Sequence, residues 1–387
     1  MMRLLYVTES VPNRDPMLGD GSSMIPFEVL RNLPLDVAVT LLTFTGPVEL
    51  PYEIRARCHE VHVLPTRRRS AALVRSLASS HDVGAQERAT RLAFRRAEQL
   101  SEECDAVLLH GPHVLFLASH LKGPLVLQTV DPWSKRVGLE SVLARGWRAA
   151  YRARRSRRIL SAERQLPARA RLLTVGAQDA AEWSRLLARP VRSIPNGAEP
   201  LAHTFQKQSS RIVCFVGSLN YGPNIASADV LINKIAPLVW KEVPTAKFVV
   251  AGRQPTKEIL SLAGPRVDIL ANVPSVSAVL QAAQVAAFPD EHGVGIRNSV
   301  REALAAGLPV VATPVAAREQ EPHPLLTVEG DILLFARNIV HHLTSDSSPV
   351  DTNAQERTWE EVAGEYLDEL QQAIGAQLEF QAEEPSP

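Results

Sequence analysis

The sequence predicts a doubly wound α/β architecture laid out as two successive domains. Three observations carry that expectation. Short aliphatic runs alternate with longer helical patterns along the whole chain, the rhythm of strand–helix units. Several short runs are solid apolar blocks, among them Val107-Leu108-Leu109, Phe248-Val249-Val250 and Val310-Val311-Ala312. A strand covered on both faces of a parallel sheet reads this way. The pattern restarts near residue 211, after Ile194-Pro195-Asn196-Gly197-Ala198-Glu199-Pro200 and the polar stretch 206–211, where Pro and Gly punctuate a linker.

Seven strands are expected before the linker, at 4–8, 37–44, 60–64, 105–110, 124–129, 171–175 and 191–194. Six follow it, at 211–216, 247–251, 267–271, 285–288, 309–312 and 325–328. The boundaries read as an N-terminal domain over 1–198 and a C-terminal domain over 209–355. A helix at 356–375 and a frayed acidic, proline-containing tail at 376–387 complete the chain. The helix is called by the stripe Trp359, Val362, Ala363, Tyr366, Leu367, Leu370, which has helical spacing. Two such domains facing each other leave a cleft, and ligands favour the carboxyl ends of the strands.

Composition narrows the function classes. The chain has 387 residues, 45% hydrophobic and 22% charged, with 42 basic against 42 acidic side chains. That balance fits a soluble globular protein and gives no global case for nucleic-acid binding. Cys58, Cys104 and Cys214 are scattered, which argues against a disulfide framework and a zinc site and fits a cytoplasmic protein. The apolar run after Met1 ends by Glu9, too short for a secretory signal, and no run is long enough to span a bilayer.

The segment 293–313, Gly-Val-Gly-Ile-Arg-Asn-Ser-Val-Arg-Glu-Ala-Leu-Ala-Ala-Gly-Leu-Pro-Val-Val-Ala-Thr, is the most informative. A glycine-bearing loop follows a strand and lets backbone N–H groups approach a ligand. Asn298 or Ser299 is placed to cap a helix, Gly307 to end it, and Pro309 to open the next strand. A helix N-terminus beside a glycine loop suits a diphosphate. Glu302, one turn in, can accept hydrogen bonds from ribose hydroxyls or stand as an ordinary surface glutamate.

This segment resembles the donor-site motif of family 4 retaining glycosyltransferases, which have the GT-B fold of two facing Rossmann-like domains. The branch it is most similar to serves bacterial polysaccharide and secondary-metabolite synthesis. The resemblance extends to Phe215-Val216-Gly217-Ser218-Leu219-Asn220-Tyr221-Gly222-Pro223-Asn224, to the strand Phe248-Val249-Val250-Ala251-Gly252-Arg253 and to Pro195-Asn196-Gly197. It implies that Gly217, Ser218, Asn220, Gly295, Ile296, Arg297, Asn298 and Ser299 line the donor site and that Glu302 holds the ribose. Many members have a second glutamate eight residues earlier, where this chain has Val294; Asp290 and Glu291 lie just upstream as substitutes or as plain loop charges. The basic pair that many members carry at 218–224 is missing, which leaves Arg253 and Arg297 as candidates to meet the diphosphate or as solvated surface residues.

In the N-terminal domain Gly19-Asp20-Gly21-Ser22-Ser23 lacks the dinucleotide spacing and resembles the family's glycine loop, with Gly19 and Gly21 near the diphosphate. His110 ends a strand and is either aligned with the family's histidine or a structural strand-end residue; His113 is the weaker candidate. Asp131 follows the strand at 124–129 and orients an acceptor hydroxyl or caps the next helix. His110 and Asp131 are the catalytic candidates. No Asp-x-Asp pair forms a metal site, and the resemblance implies a metal-independent enzyme without a cofactor, using helix dipoles and basic groups. It further implies retention through a short-lived oxocarbenium–diphosphate ion pair, with a leaving-group oxygen taking the acceptor proton.

The stretch 135–172 holds twelve basic residues, from Lys135 to Arg171, against Glu140 and Glu163, with Leu139, Val142, Leu143, Trp147 and Tyr151 among them. It reads as a peripheral contact with anionic lipid at the inner face of the membrane, as a contact with an anionic acceptor, or as a solvated helix face. The expected function is transfer of a sugar from a nucleotide diphosphate to a polysaccharide precursor, a lipid-linked acceptor or a natural product. The missing glutamate and basic pair keep a catalytically silent GT-B partner protein as the alternative, and a sugar-nucleotide epimerase is a third.

Overall fold

The computed structural model describes residues 1–15, 21–79, 81–143, 146–197, 210–273, 275–293, 295–345 and 357–383. Gly19, Val294 and the linker at 198–209 therefore lie outside the described residues, as does the loop at 346–356. The chain divides into two compact units. Unit 1 is Met1–Gly197 with Trp359–Pro387, and unit 2 is Ala198–Thr358.

Unit 1 carries β1 (Met2–Thr8), β2 (Val37–Phe44), β3 (Glu60–Leu64), β4 (Ala106–His110), β5 (Leu125–Gln128), β6 (Arg171–Thr174) and β7 (Val191–Ser193). They form one sheet in the order β3-β2-β1-β4-β5-β6-β7, and every pairing is parallel. Leu4, Leu5, Tyr6 and Val7 are all buried, as are Val107, Leu108 and Leu109. Helices on both faces account for that, which is why these strands read as unbroken apolar blocks rather than alternating ones.

Unit 2 carries β8 (Ile212–Val216), β9 (Lys247–Gly252), β10 (Val267–Ala271), β11 (Val285–Phe288), β12 (Val310–Ala312) and β13 (Leu326–Val328). Their order is β10-β9-β8-β11-β12-β13, again with parallel pairings throughout. Its core runs from Phe215, Phe248 and Phe288 in the sheet to Leu231, Ile235 and Val239 on one flank and Phe335 and Ile339 on helix Ile332–Thr344. Asp331 caps that helix by accepting from the N–H groups of Leu333 and Leu334.

The last helix, Trp359–Glu383, belongs to unit 1 and buries Trp359, Val362, Ala363, Tyr366 and Leu370. Its Glu369 is almost fully buried and accepts from Arg171 Nε at 2.6 Å and from Arg192 Nη1, so β6 and β7 are tied to it. Residues 376–383, expected to fray, are helix instead, because Ala376, Gln377, Leu378 and Glu379 are all fair to good helix formers and no proline intervenes before Pro385.

Candidate functional site

The strand order of unit 2 reverses between β8 and β11. In doubly wound sheets ligands bind outside the carboxyl ends of the strands at such a point. Gly217 and Ser218 follow β8, Asp290 follows β11, and Arg253 follows β9. Two glycines let these ends close up. A Cβ on Gly252 would stand 1.7 Å from the Gly217 carbonyl oxygen, and one on Gly217 would stand 2.8 Å from Asn224 Nδ2. Asn224 Nδ2 in turn donates to the Ser218 carbonyl at 2.9 Å, and Arg253 Nε donates to Ser218 Oγ at 2.9 Å. Asn220 lies further out, exposed, with its amide donating to Gln254 Oε1 at 2.5 Å.

Arg297 is the centre of this group. Its guanidinium carbon lies 4.7 Å from the Phe288 ring centroid and 5.1 Å from that of Phe215. Nη1 donates to Asp290 Oδ2 and, at 3.2 Å, to Asn224 Oδ1. Asp290 Oδ1 accepts from Ser227 Oγ at 2.7 Å. Both Asp290 oxygens are thus committed inside the unit, which removes it as the stand-in for a sugar-binding glutamate. Glu291 is exposed and lies 3.9 Å from Lys234 Nζ. Burial pulls the Arg297 pKa down and Asp290 opposes that. Its Nε and Nη2 have no acceptor among the described residues, and buried donors without partners carry a desolvation cost.

Helix Asn298–Ala305 starts one position earlier than a cap at Asn298 requires and two earlier than a cap at Ser299. The cap position is Arg297, extended at φ −88° and ψ 96°, and its side chain makes no cap bond because Asp290 and the two phenyl rings hold it inward. Gly295, at φ 73°, adopts the left-handed turn ahead of it, and Ile296 is half-buried. The helix buries Val300, Ala303 and Leu304. Glu302 is exposed, on the opposite face from these and one turn beyond Asn298. Gly307 ends the helix at φ 70°; its N–H bonds Leu304 O at 2.8 Å and the Leu308 N–H bonds Ala303 O at 3.0 Å, a complete Schellman closure.

Unit 1 reverses its order between β1 and β4. Here the structure redistributes the expected roles. His110 is completely buried, with Nδ1 3.2 Å from Tyr6 Oη, and burial pushes its pKa down to about 4. No face of that ring is open, so a catalytic contact does not fit it. His113 instead bridges two acids, with Nδ1 3.0 Å from Glu9 Oε2 and Nε2 3.1 Å from Asp82 Oδ2. Burial opposes its charge, yet the flanking carboxylates hold its pKa up to about 10. Glu9 falls to about 2, because His113 and Arg88 outweigh its own burial. Asp82 also accepts from Trp133 Nε1 and Arg155 Nη2, each at 2.7 Å. Gly111 is needed twice over: its φ is 99°, and a Cβ there would meet the Glu9 carboxyl at 2.3 Å. Both ring nitrogens of His113 are spent on carboxylates, so it acts as a fixed cation at the switch point.

Asp131 is partly buried and pairs with Arg136 Nη1 at 3.6 Å. Gly21 opens helix Gly21–Asn32. Pro26 lies inside that helix and has no N–H to donate; Ser10 Oγ donates to the Ser22 carbonyl at 3.4 Å. The sequence reading missed Asp82 and Glu9 as partners of His113, and Asn224 and Ser227 as partners of Arg297 and Asp290. Their separations, 31 and 104 residues for the first pair, leave no local signal. Among the described residues no cluster of His, Cys, Asp and Glu could hold a metal ion, and no helix is long and apolar enough to cross a membrane.

Residues 210–345 match the family described as glycosyl transferases group 1. No curated protein sequence matches the chain. Solved structures do. The Anabaena protein Alr3699/HepE in complex with UDP and glucose is 13% identical with a TM-score of 0.56, covering 99% of this chain and 100% of its own. A TarM mutant of S. aureus in complex with Fondaparinux, alpha-GlcNAc-glycerol and UDP is 11% identical with a TM-score of 0.63, covering 97% and 100%. The α,α-trehalose 6-phosphate synthase of Burkholderia multivorans is 12% identical with a TM-score of 0.59, over the same shares. The two parallel-sheet units are those of the GT-B fold.

Proposed function

We propose that this chain, a glycosyltransferase by its group 1 domain at residues 210–345, takes a sugar from a nucleotide diphosphate donor with retention of configuration. The observation that carries the reading is the group outside the ends of β8, β9 and β11. Glycine-lined backbone at Gly217 and Ser218 beside Arg253 offer an anion close backbone and charge-assisted contacts, with the Arg297 guanidinium held behind them. Helix Asn298–Ala305 then presents Glu302 on its exposed face, where a carboxylate can take two ribose hydroxyls. We assign the diphosphate's charge to these side chains rather than to a metal, and no cofactor enters the reading. The departing diphosphate oxygen takes the acceptor proton, so no general base from unit 1 is required. The solved neighbours bound to UDP support a uridine donor as the first choice to test.

The acceptor is a polysaccharide precursor, a lipid-linked sugar or a natural product, met in the cytoplasm. The basic stretch 135–172 supports a peripheral contact with the inner face of the membrane. Titration calorimetry with UDP, GDP and dTDP, with Glu302→Ala as control, tests the donor reading. One nucleotide should bind, and the substitution should weaken it. The Asp290–Arg297 pair favours one other reading, a silent partner protein, because it ties up a cation the diphosphate would otherwise use. Failure of all three nucleotides to bind selects that reading.

A further inference from the structure

Helices Arg69–Ala78 and Trp147–Arg164 of unit 1 share an outer surface that the donor chemistry does not use. The first buries only Ala72, and leaves Leu73, Val74 and Leu77 at 49%, 68% and 57% exposure. It contains no acidic residue. The second has seven arginines and one acid, Glu163, which is buried. Its outward stripe at helical spacing is Trp147, Tyr151, Arg154, Arg157, Ser161 and Arg164, aromatic at the start and basic beyond.

The two helices meet where Arg158 Nη1 donates to the Leu77 carbonyl at 2.6 Å. A pocket opens at that junction, lined by Ser76, Ser79, Tyr151, Arg154, Arg155 and Arg158. A shallower depression continues along the same helix between Arg154, Arg157, Arg158 and Ser161. Asp82 also lines the pocket, but Arg155, the Trp133 N–H and His113 already satisfy its carboxylate. The pocket therefore has three arginines, two serine hydroxyls and the aromatic edge of Tyr151, with exposed aliphatic side chains beside it.

We propose that this surface docks on an anionic lipid membrane, with a lipid phosphate seated in the pocket between the two helices. A free phosphate ester would use the arginines and hydroxyls but not Leu73, Val74, Leu77 and Trp147. Anionic headgroups above a hydrocarbon layer use both sets at once. The absence of exposed acids on either helix removes the repulsion such a surface would otherwise meet. The inference deepens the peripheral contact proposed above by naming its seat and its ligand chemistry, and it is independent of the identity of the donor.

Co-sedimentation tests it with the full chain and vesicles of phosphatidylcholine alone or with about one-third phosphatidylglycerol. Binding should need the anionic lipid and weaken as salt rises. The double variant Arg154→Glu, Arg157→Glu should lower partitioning about tenfold or more, and Trp147→Ser should lower it separately. Calorimetric nucleotide binding should not change in either variant. Binding to anionic vesicles that both variants leave intact overturns this seat and keeps the general peripheral contact. No binding to any vesicle overturns both. Saturable binding of glycerol phosphate, or of RNA, without vesicle binding also overturns the proposal and identifies a soluble polyanion or phosphate site instead.

Discussion

Asp290 and Arg297, seven residues apart in the loop that follows β11, close on each other beneath the rings of Phe215 and Phe288. Both are largely withdrawn from water, at 6% and 13% side-chain exposure. Removing one member leaves the other charge buried alone. Asp290→Asn is expected to destabilise the protein by about 3–5 kcal/mol, read from the urea midpoint. Adding Arg297→Met should restore part of the loss, since the paired charges are then both gone. A double variant as unstable as the sum of the singles would show that the two residues are not coupled.

Gly252 makes a second expectation, from sterics alone. A methyl group there overlaps the Gly217 carbonyl, so β8 and β9 must part at the site. Gly252→Ala should cost at least about 1–3 kcal/mol and should weaken nucleotide binding with it. Thermal unfolding and calorimetry on the same sample check both, and a stable, fully binding variant refutes the close approach.

The His113 cluster predicts a pH dependence. Its folded-state pKa of about 10 stands above the ordinary 6.5, so its stabilisation is complete below about pH 6.5 and is lost as pH rises through 10. Glu9 runs the other way: with a pKa near 2 against 4.5, its share holds above pH 4.5 and is lost as pH falls through 2. The stability difference between the native protein and His113→Gln should therefore shrink between about pH 6 and pH 10.5. Denaturant midpoints at the two ends measure it; a constant difference excludes a charged His113.

Glu302 should separate binding from folding. It is exposed, so Glu302→Ala should change stability by no more than about 0.5 kcal/mol. Losing a charge-assisted pair of hydrogen bonds to ribose should weaken the nucleotide about tenfold or more. If affinity and stability fall together, the residue has a structural task and the ribose assignment fails.

The sheets were legible because burial on both faces writes itself into sequence as Val, Leu and Ile blocks. Strands such as 37–44 and 285–288 come out at the expected residues. Most of the edges that do move shift by one residue, as at Pro124 and Pro309, which precede their strands and have no N–H to give the ladder. The end of helix Asn298–Ala305 was legible in Gly307, because a left-handed residue is a local requirement. Its start was not, because Arg297 is held by a carboxylate and two rings whose positions only the folded sheet brings together. The same holds for the histidines. His110 stood at the right strand end, but the charges that define the unit 1 switch point reach His113 from Glu9 and Asp82, on other elements.

The return of helix Trp359–Glu383 to unit 1 has a consequence for synthesis. Tyr366, Leu370 and Glu369 complete the packing around β4 to β7, yet the whole of unit 2 is translated before them. On the ribosome unit 2 can close as soon as its own residues emerge. Unit 1 must wait, partly assembled and exposing the apolar surface that this helix covers, until the helix itself leaves the tunnel. The interval between emergence of residue 197 and residue 383 is thus when unit 1 leaves that apolar surface uncovered.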